Sequence, residues 1–218
     1  MNMQRGARVR HSVWSMAAVL LAFAVAGCGG SGQTLTMSFD MDSVPAPAKV
    51  QQTLRVAVVP FEDVRTDKTS IGRYQHYVET TVDILVPAQG SAADQITRFV
   101  AEYLTRAGFQ VSIAKAGETV PAGSADVVLA GQIESYWNEA VGRFFRTEMK
   151  SQNRLVIKVS NAADASTART TVAGSGSRTA VFFDLPDLER LNSEALGEAL
   201  SRLLGDLVVV DRTLKPKK

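Results

Sequence analysis

The 218-residue chain carries 24 Lys and Arg against 22 Asp and Glu, two histidines and one cysteine. A lone thiol excludes internal disulfides, and with so few histidines it excludes zinc sites of the His/Cys type and Cys–His couples. A formal net charge of +2 leaves no basic face for nucleic acid, while 45% hydrophobic residues suffice for one ordinary domain with a real core.

The N-terminal stretch has the layout of an export signal. Arg5, Arg8 and Arg10 form a basic head, residues 13–26 an apolar core interrupted only by Ser15, and small residues precede Cys28. The fourteen-residue run is too short to span a bilayer core, which needs about 20 apolar residues. The segment Val25-Ala26-Gly27-Cys28 resembles the lipobox of bacterial lipoproteins. That resemblance implies cleavage before Cys28, a diacylglycerol on its sulfur and an acyl chain on the new amino group. Gly29, where inner-membrane retention favours aspartate, resembles an outer-membrane address. Residues 1–27 hold three of the 24 basic residues and no acidic one, so their removal leaves 21 basic against 22 acidic. His76 is then the one remaining histidine.

The predicted organisation is a signal peptide (1–27), a lipidated tether (28–33), one α+β domain (34–212) and a polar tail (213–218). If the first strand starts near Leu35, the tether from Gly29 to Gln33 reaches under about 20 Å. Leu35, Met37, Phe39 and Met41 alternate with polar residues, which predicts a strand with one buried face. Residues 44–48, Val-Pro-Ala-Pro-Ala, break regular structure. Leu54–Phe61 is an apolar, β-branched run but for Arg55, expected to be a central strand buried on both faces and ended by Pro60. A polar loop follows to Gly72, and the β-formers between Tyr74 and Leu85 predict a further strand or hairpin arm.

Ser91–Ala107 is predicted helical. Ser91 and Asp94 resemble a capping box, Ile96, Phe99, Val100, Tyr103, Leu104 and Ala107 share one face, and Gly108 closes the last turn. Gln110–Lys115 returns as a strand, as a crossover unit requires. Three meandering strands follow. Ala125–Trp137 sets Val127, Leu129, Ile133 and Trp137 on one side, Thr147–Ser160 alternates sharply, and Arg169–Arg178 carries Gly174 and Gly176. A helix from Pro186 to Leu207 buries Leu188, Leu191, Ala195, Ala199, Leu203 and Leu207, before a solvated Lys-Pro-Lys-Lys end. These pieces predict a two-layer α+β fold: a mixed, mostly antiparallel sheet with two helices packed on one face.

The ordered set of Cys28, Leu35–Phe39, the proline-rich step, Glu62-Asp63-Val64-Arg65, Ile71-Gly72, Leu104–Val111 and Ala125–Leu129 resembles the YajG-like family of bacterial lipoproteins. The resemblance spans nearly all of residues 28–218. It implies an envelope lipoprotein and carries over no catalytic residue, metal or cofactor. More loosely, the V-x-V-x-P-F strand resembles accessory lipoproteins of curli secretion and peptidoglycan synthesis.

Two places are candidate sites. The loop with Glu62, Asp63, Arg65, Asp67, Lys68 and Gly72 reads either as a recognition loop or as local ion pairing, with Asp63–Arg65 tying it to the sheet and Gly72 at positive φ. Asp63 and Asp67 as a hydrolytic pair would need raised pKa values, whereas Arg65 and Lys68 act the other way. Tyr136, Trp137, Phe144 and Phe145 gather around a turn near Gly142 and either meet a partner or lipid headgroups, or cap the core. His76 has no G-x-S-x-G serine to serve. The expectation is a non-enzymatic lipoprotein held to the periplasmic side of the outer membrane by its lipid, with an envelope protein as partner and no nucleic acid.

Overall fold

The computed structural model describes residues 32–78 and 81–217. The predicted leader and Cys28 lie outside the described residues. From Gly32 onward the chain is α+β: a mixed, mostly antiparallel sheet, two helices on one face, and a small second sheet.

The longest strand organises everything else. Strands β1 (Thr34–Met37), β2 (Arg55–Val58), β3 (Glu62–Asp63), β4 (Gly72–Gln75) and β5 (Val82–Pro87) precede helix α1 (Ala92–Arg106) and β6 (Gln110–Ile113). Then come β7 (Val127–Arg143), β8 (Arg146–Asn161), β9 (Thr167–Ala180), helix α2 (Leu185–Gly205), β10 (Leu207–Val210) and β11 (Thr213–Pro216). β7 pairs antiparallel with β8 along its whole length, and β8 with β9. The opposite edge of β7 is shared in succession by β2, β3 and β4, all parallel to it. β6 extends β2, and β5 and then β1 extend β4.

Apolar sequence explains the central position of β2. Val56, Ala57 and Val58 are all buried, so neither face reaches water there, and β2 lies between β6 and β7 as the apolar run after Arg55 predicts. Helix α1 starts where expected. Ser91 caps it, accepting from the Asp94 amide at 3.1 Å while Asp94 accepts from the Ser91 amide at 2.8 Å. Gly108 takes φ +101° to end it, and Phe109 folds into the core. Ser91→Ala is expected to cost about 1 kcal/mol, a fall of about 2–4 °C in Tm for a domain of this size, measurable by calorimetry.

Three predicted features are corrected by the structure. The first concerns the inward side of β7. The pairing with β8 shifts between Ile133 and Ser135, leaving Glu134 as the extra residue of a bulge. Side-chain parity flips there, so Tyr136 is buried and Trp137 faces outward, the reverse of the alternation read from the sequence. The second is Gly72, which lies inside β4 rather than at a positive-φ turn. A Cβ there would stand 2.0 Å from the Asn138 carbonyl oxygen, so close backbone approach is what demands glycine. The third is the C-terminus. Helix α2 stops at Gly205, Leu207 begins a strand, and residues 213–216 pair with it instead of forming a free tail. Asp211 and Arg212 both have positive φ, as a two-residue turn matched to strand twist requires. The Asn161 side chain holds this hairpin like a neighbouring strand, donating to the Leu214 carbonyl at 3.1 Å and accepting from its amide at 2.8 Å.

Both helices bury their apolar stripes on the same sheet face. Phe39 bridges α1 and the sheet, its ring 4.5 Å from Phe99 of α1 and 6.2 Å from the inward Tyr136 of β7. Leu188, Leu191, Ala195, Ala199 and Leu203 of α2 are buried as the periodicity predicts.

Candidate functional site

The loop after β2 is bound to itself and to the sheet. Arg65 grips Asp63 through both carboxylate oxygens, Nε to Oδ1 at 2.9 Å and Nη2 to Oδ2 at 2.8 Å. Its Nη1 donates to the carbonyls of Ser70 and Tyr136, each at 3.0 Å, and its guanidinium lies over the Tyr136 ring. Burial alone would raise the pKa of Asp63, but the hydrogen bonds and charge of Arg65 outweigh it and hold the carboxyl below its usual range. Asp67 accepts from the Ser70 hydroxyl, the Thr69 hydroxyl and amide, and the Ser70 amide, which hold it well below the carboxylate range. Neither acid is tuned to carry a proton near neutral pH, as the paired cations and donors foretell. Glu62 accepts from Gln132, and Gly72 lies beside Asn138 of β7. Of the loop residues named from the sequence, Lys68 projects into solvent. The arrangement works as a brace between the loop and the middle of β7.

The four aromatics of the second candidate part company. Tyr136 is buried under α2, where its hydroxyl accepts from Asn192 at 3.0 Å and burial pushes its pKa up. The Ser151 hydroxyl extends that polar chain by donating to the Asn192 side-chain Oδ1, and the Asn153 side-chain Oδ1 accepts from the Gly174 amide. Trp137 lies on the outward sheet face, against a groove of about 430 Å³ lined also by Glu139, Lys150, Gln152, Ser175 and Ser177. Phe144 and Phe145 alone form the turn between β7 and β8, their rings 4.2 Å apart and mostly exposed. Phe145 sits at φ +57°, a left-handed conformation that costs a bulky residue roughly 1–2 kcal/mol.

Sequence reasoning missed the company these two keep. Tyr77 and Val78, just beyond β4, and Val181 and Phe182, just beyond β9, are also exposed, and the Tyr77 ring lies 6.2 Å from Phe144. Gly142 permits this grouping, since a Cβ there would stand 2.9 Å from the Tyr77 amide. Val181-Phe182, placed between a polar strand and a helix start, was the available signal. His76 follows β4 and meets Asp83 at 2.9 Å. A further cavity of about 520 Å³ opens between the proline-rich segment and the C-terminal hairpin, bordered by Lys49, Tyr103, Leu207 and Leu214. Asp126, part of the ordered motif set, binds the Arg55 amide and guanidinium and reaches Arg212 of the hairpin. Hydrogen bonding from Arg55 holds its carboxyl far below the usual range. Among the described residues, no three His, Cys, Asp or Glu side chains gather as a metal site. No described helix is long and apolar enough to cross a membrane.

This is an α+β domain whose fold is shared with a solved bacterial protein. Protein XCC0632 of Xanthomonas campestris, of family model DUF330, is similar over 80% of this chain and 93% of its own, with a TM-score of 0.51 at 16% identity. PelC of Paraburkholderia phytofirmans, solved as a dodecamer, matches 73% of this chain and 94% of its own at 20% identity, with a TM-score of 0.39. Lipoprotein GNA1162 of Neisseria meningitidis matches 73% of this chain and 99% of its own at 10% identity, with a TM-score of 0.36. The first of these likenesses establishes a shared fold and nothing more. No family model matches the chain, and no curated protein does.

Proposed function

We propose that this chain is a lipid-anchored lipoprotein of the bacterial envelope, related to the YajG-like lipoproteins, acting as a non-enzymatic binding or assembly module. It would face the periplasm from the outer membrane, held by acyl chains on Cys28. The observation that carries this reading is the junction of the export-signal pattern with the domain. Cys28 follows Val25-Ala26-Gly27, and only a few residues later Gln33 is bound into the fold, its amide donating to Asp83 at 2.7 Å. Acyl chains at Cys28 would therefore hold a folded domain directly against a bilayer. Buried methylenes contribute about 0.8 kcal/mol each, so three chains anchor far more firmly than one.

Substituting Cys28→Ala is expected to abolish palmitate labelling and to move the protein from the membrane to the soluble fraction. Unchanged labelling and sedimentation would overturn the anchor. For the binding role, in-cell crosslinking followed by pull-down should capture a specific envelope complex, whereas turnover of a cell-wall substrate by the purified protein would defeat it. The outward Trp137 groove, with Glu139 and Lys150 at its edges, favours a second reading as an accessory subunit of a transport, secretion or peptidoglycan-synthesis complex. Co-purification with such a machine, lost in Trp137→Ala, separates the two.

A further inference from the structure

The sheet gathers six exposed apolar side chains at one end, and Gly32, four residues after Cys28, stands at that same end. Register fixes this. The row Val82–Gln75–Val141–Glu148–Thr179 crosses β5, β4, β7, β8 and β9. Beyond it lie Tyr77 and Val78, Phe144 and Phe145, and Val181 and Phe182. Val78, Phe144, Phe145 and Phe182 are 86%, 68%, 77% and 80% exposed, far more than scattered surface residues require. On the far side of the row, β1 runs parallel to β5 with Thr34 opposite Ile84. Gly32 therefore stands beside Val82, so close that a Cβ would meet the Val82 carbonyl oxygen. Gly32, the first described residue, thus stands at the aromatic end.

From these placements we infer that the aromatic end is a membrane-docking surface, its phenylalanines seated in the headgroup layer of the bilayer that holds the anchor. The inference rests on the proposed acylation of Cys28 for its geometry. Four residues from Cys28 to Gly32 span at most about 14 Å when fully extended, under half the thickness of a hydrocarbon core near 30 Å. A tether that short keeps this end, and not the C-terminal hairpin end, against the lipid. The occupant must also suit the surface. A two-residue turn bearing adjacent phenylalanines projects from the hairpin, a shape for insertion between headgroups. Aromatic residues settle at that depth, with one side apolar and the other wet. Arg143 and Arg146 bracket the turn, half exposed, and share Glu148 at 4.0 and 2.9 Å, so cationic nitrogen faces the phosphate level. Phe145 keeps a left-handed backbone that glycine or asparagine would adopt without strain, which marks the exposed ring as retained for contact.

The test uses the full chain bearing Phe144→Trp, purified from its membrane and reconstituted into vesicles of phosphatidylethanolamine with one quarter phosphatidylglycerol, with or without bromine on the acyl chains. The wild type, whose Trp137 lies on the outward sheet face, sets the background. Quenching by bromolipid should exceed that background by about twofold or more, as expected of an aromatic seated at the acyl boundary. It should fall back when Phe145→Ser and Phe182→Ser are added. Emission unmoved by bromolipid overturns the docking, and a blue shift that instead grows with protein density assigns the surface to a second copy. Palmitate labelling and flotation, measured in parallel, report the anchor separately. Labelling without quenching removes the docking and leaves the anchor standing; quenching without labelling supports the docking and removes the anchor.

Discussion

Replacing Arg65 by methionine should lower the stability of the folded protein by about 3 kcal/mol, near the low end of the 3–5 kcal/mol that breaking a buried ion pair costs. The low end is the right choice because Asp63 keeps one edge toward solvent. Methionine preserves much of the apolar stem while removing every guanidinium bond. Asp63 then keeps a largely desolvated charge, and the Ser70 and Tyr136 carbonyls lose the donor they share. The corresponding drop in Tm is about 6–12 °C. Acid should narrow the gap. Asp63 has a depressed folded pKa, so its contribution is present above its ordinary value near 4 and is lost as pH falls through the folded value. In Arg65→Met the guanidinium's share of that depression is gone, leaving burial opposed by only the residue 65 amide and Lys68, so the folded pKa rises and the variant loses less stability in acid. Melting curves of both proteins between neutral pH and about pH 3 check this. A gap that is constant with pH would show that packing, not charge, carries the role of Arg65.

That loop also shows what residue patterns can and cannot disclose. Local features were legible because their causes are local. The Ser91–Asp94 box, Gly108 after the helix, the apolar Val56–Val58 of β2 and the alternation of β8 each follow from sequence neighbours. The bulge at Glu134 was not legible, because an extra residue in one strand is defined only by what its partner strand does. One unpaired residue moved Trp137 out and Tyr136 in, and so split a candidate site that the sequence showed as a single cluster. The C-terminal hairpin was hidden for a similar reason. Its support comes from Asn161 and Asp126, far back in the chain, and nothing in Thr213–Pro216 announces them. The aromatic end needed three separate strand ends to coincide, which only the register reveals. Asn138, Ser151 and Asn153 on the inward face gave no apolar signal, yet they line the floor beneath α2.

That floor leads to the second large effect, at Gly174. In the middle of a strand, glycine is an intrinsic weakness, and valine would ordinarily gain about 0.5–1 kcal/mol from backbone entropy and β-propensity. Here the sign should reverse. A Cβ on Gly174 would stand 1.8 Å from the Ala195 carbonyl oxygen, and that atom belongs to the backbone of α2. No rotamer change can relieve the overlap, so the helix must lift from β9. Lifting it withdraws Leu191, Leu196 and Leu200 from the core and breaks the hydrogen bond between Asn192 and Tyr136. Overpacking costs of 1–3 kcal/mol are typical where side chains can adjust, so Gly174→Val should reach or exceed about 3 kcal/mol, a fall in Tm of at least about 6 °C. Two neighbours calibrate the result. At Gly176 the first atom met is the end of the Leu191 side chain, at 2.7 Å, which can turn aside, so Gly176→Ala should cost markedly less. Ser175 points the other way, toward the outward groove, and Ser175→Val should be neutral or slightly stabilising. If Gly174→Val melts at or above the wild type while Ser175→Val does not, α2 does not rest on β9 through this glycine, and the packing that fixes both helices to one face of the sheet must be sought elsewhere.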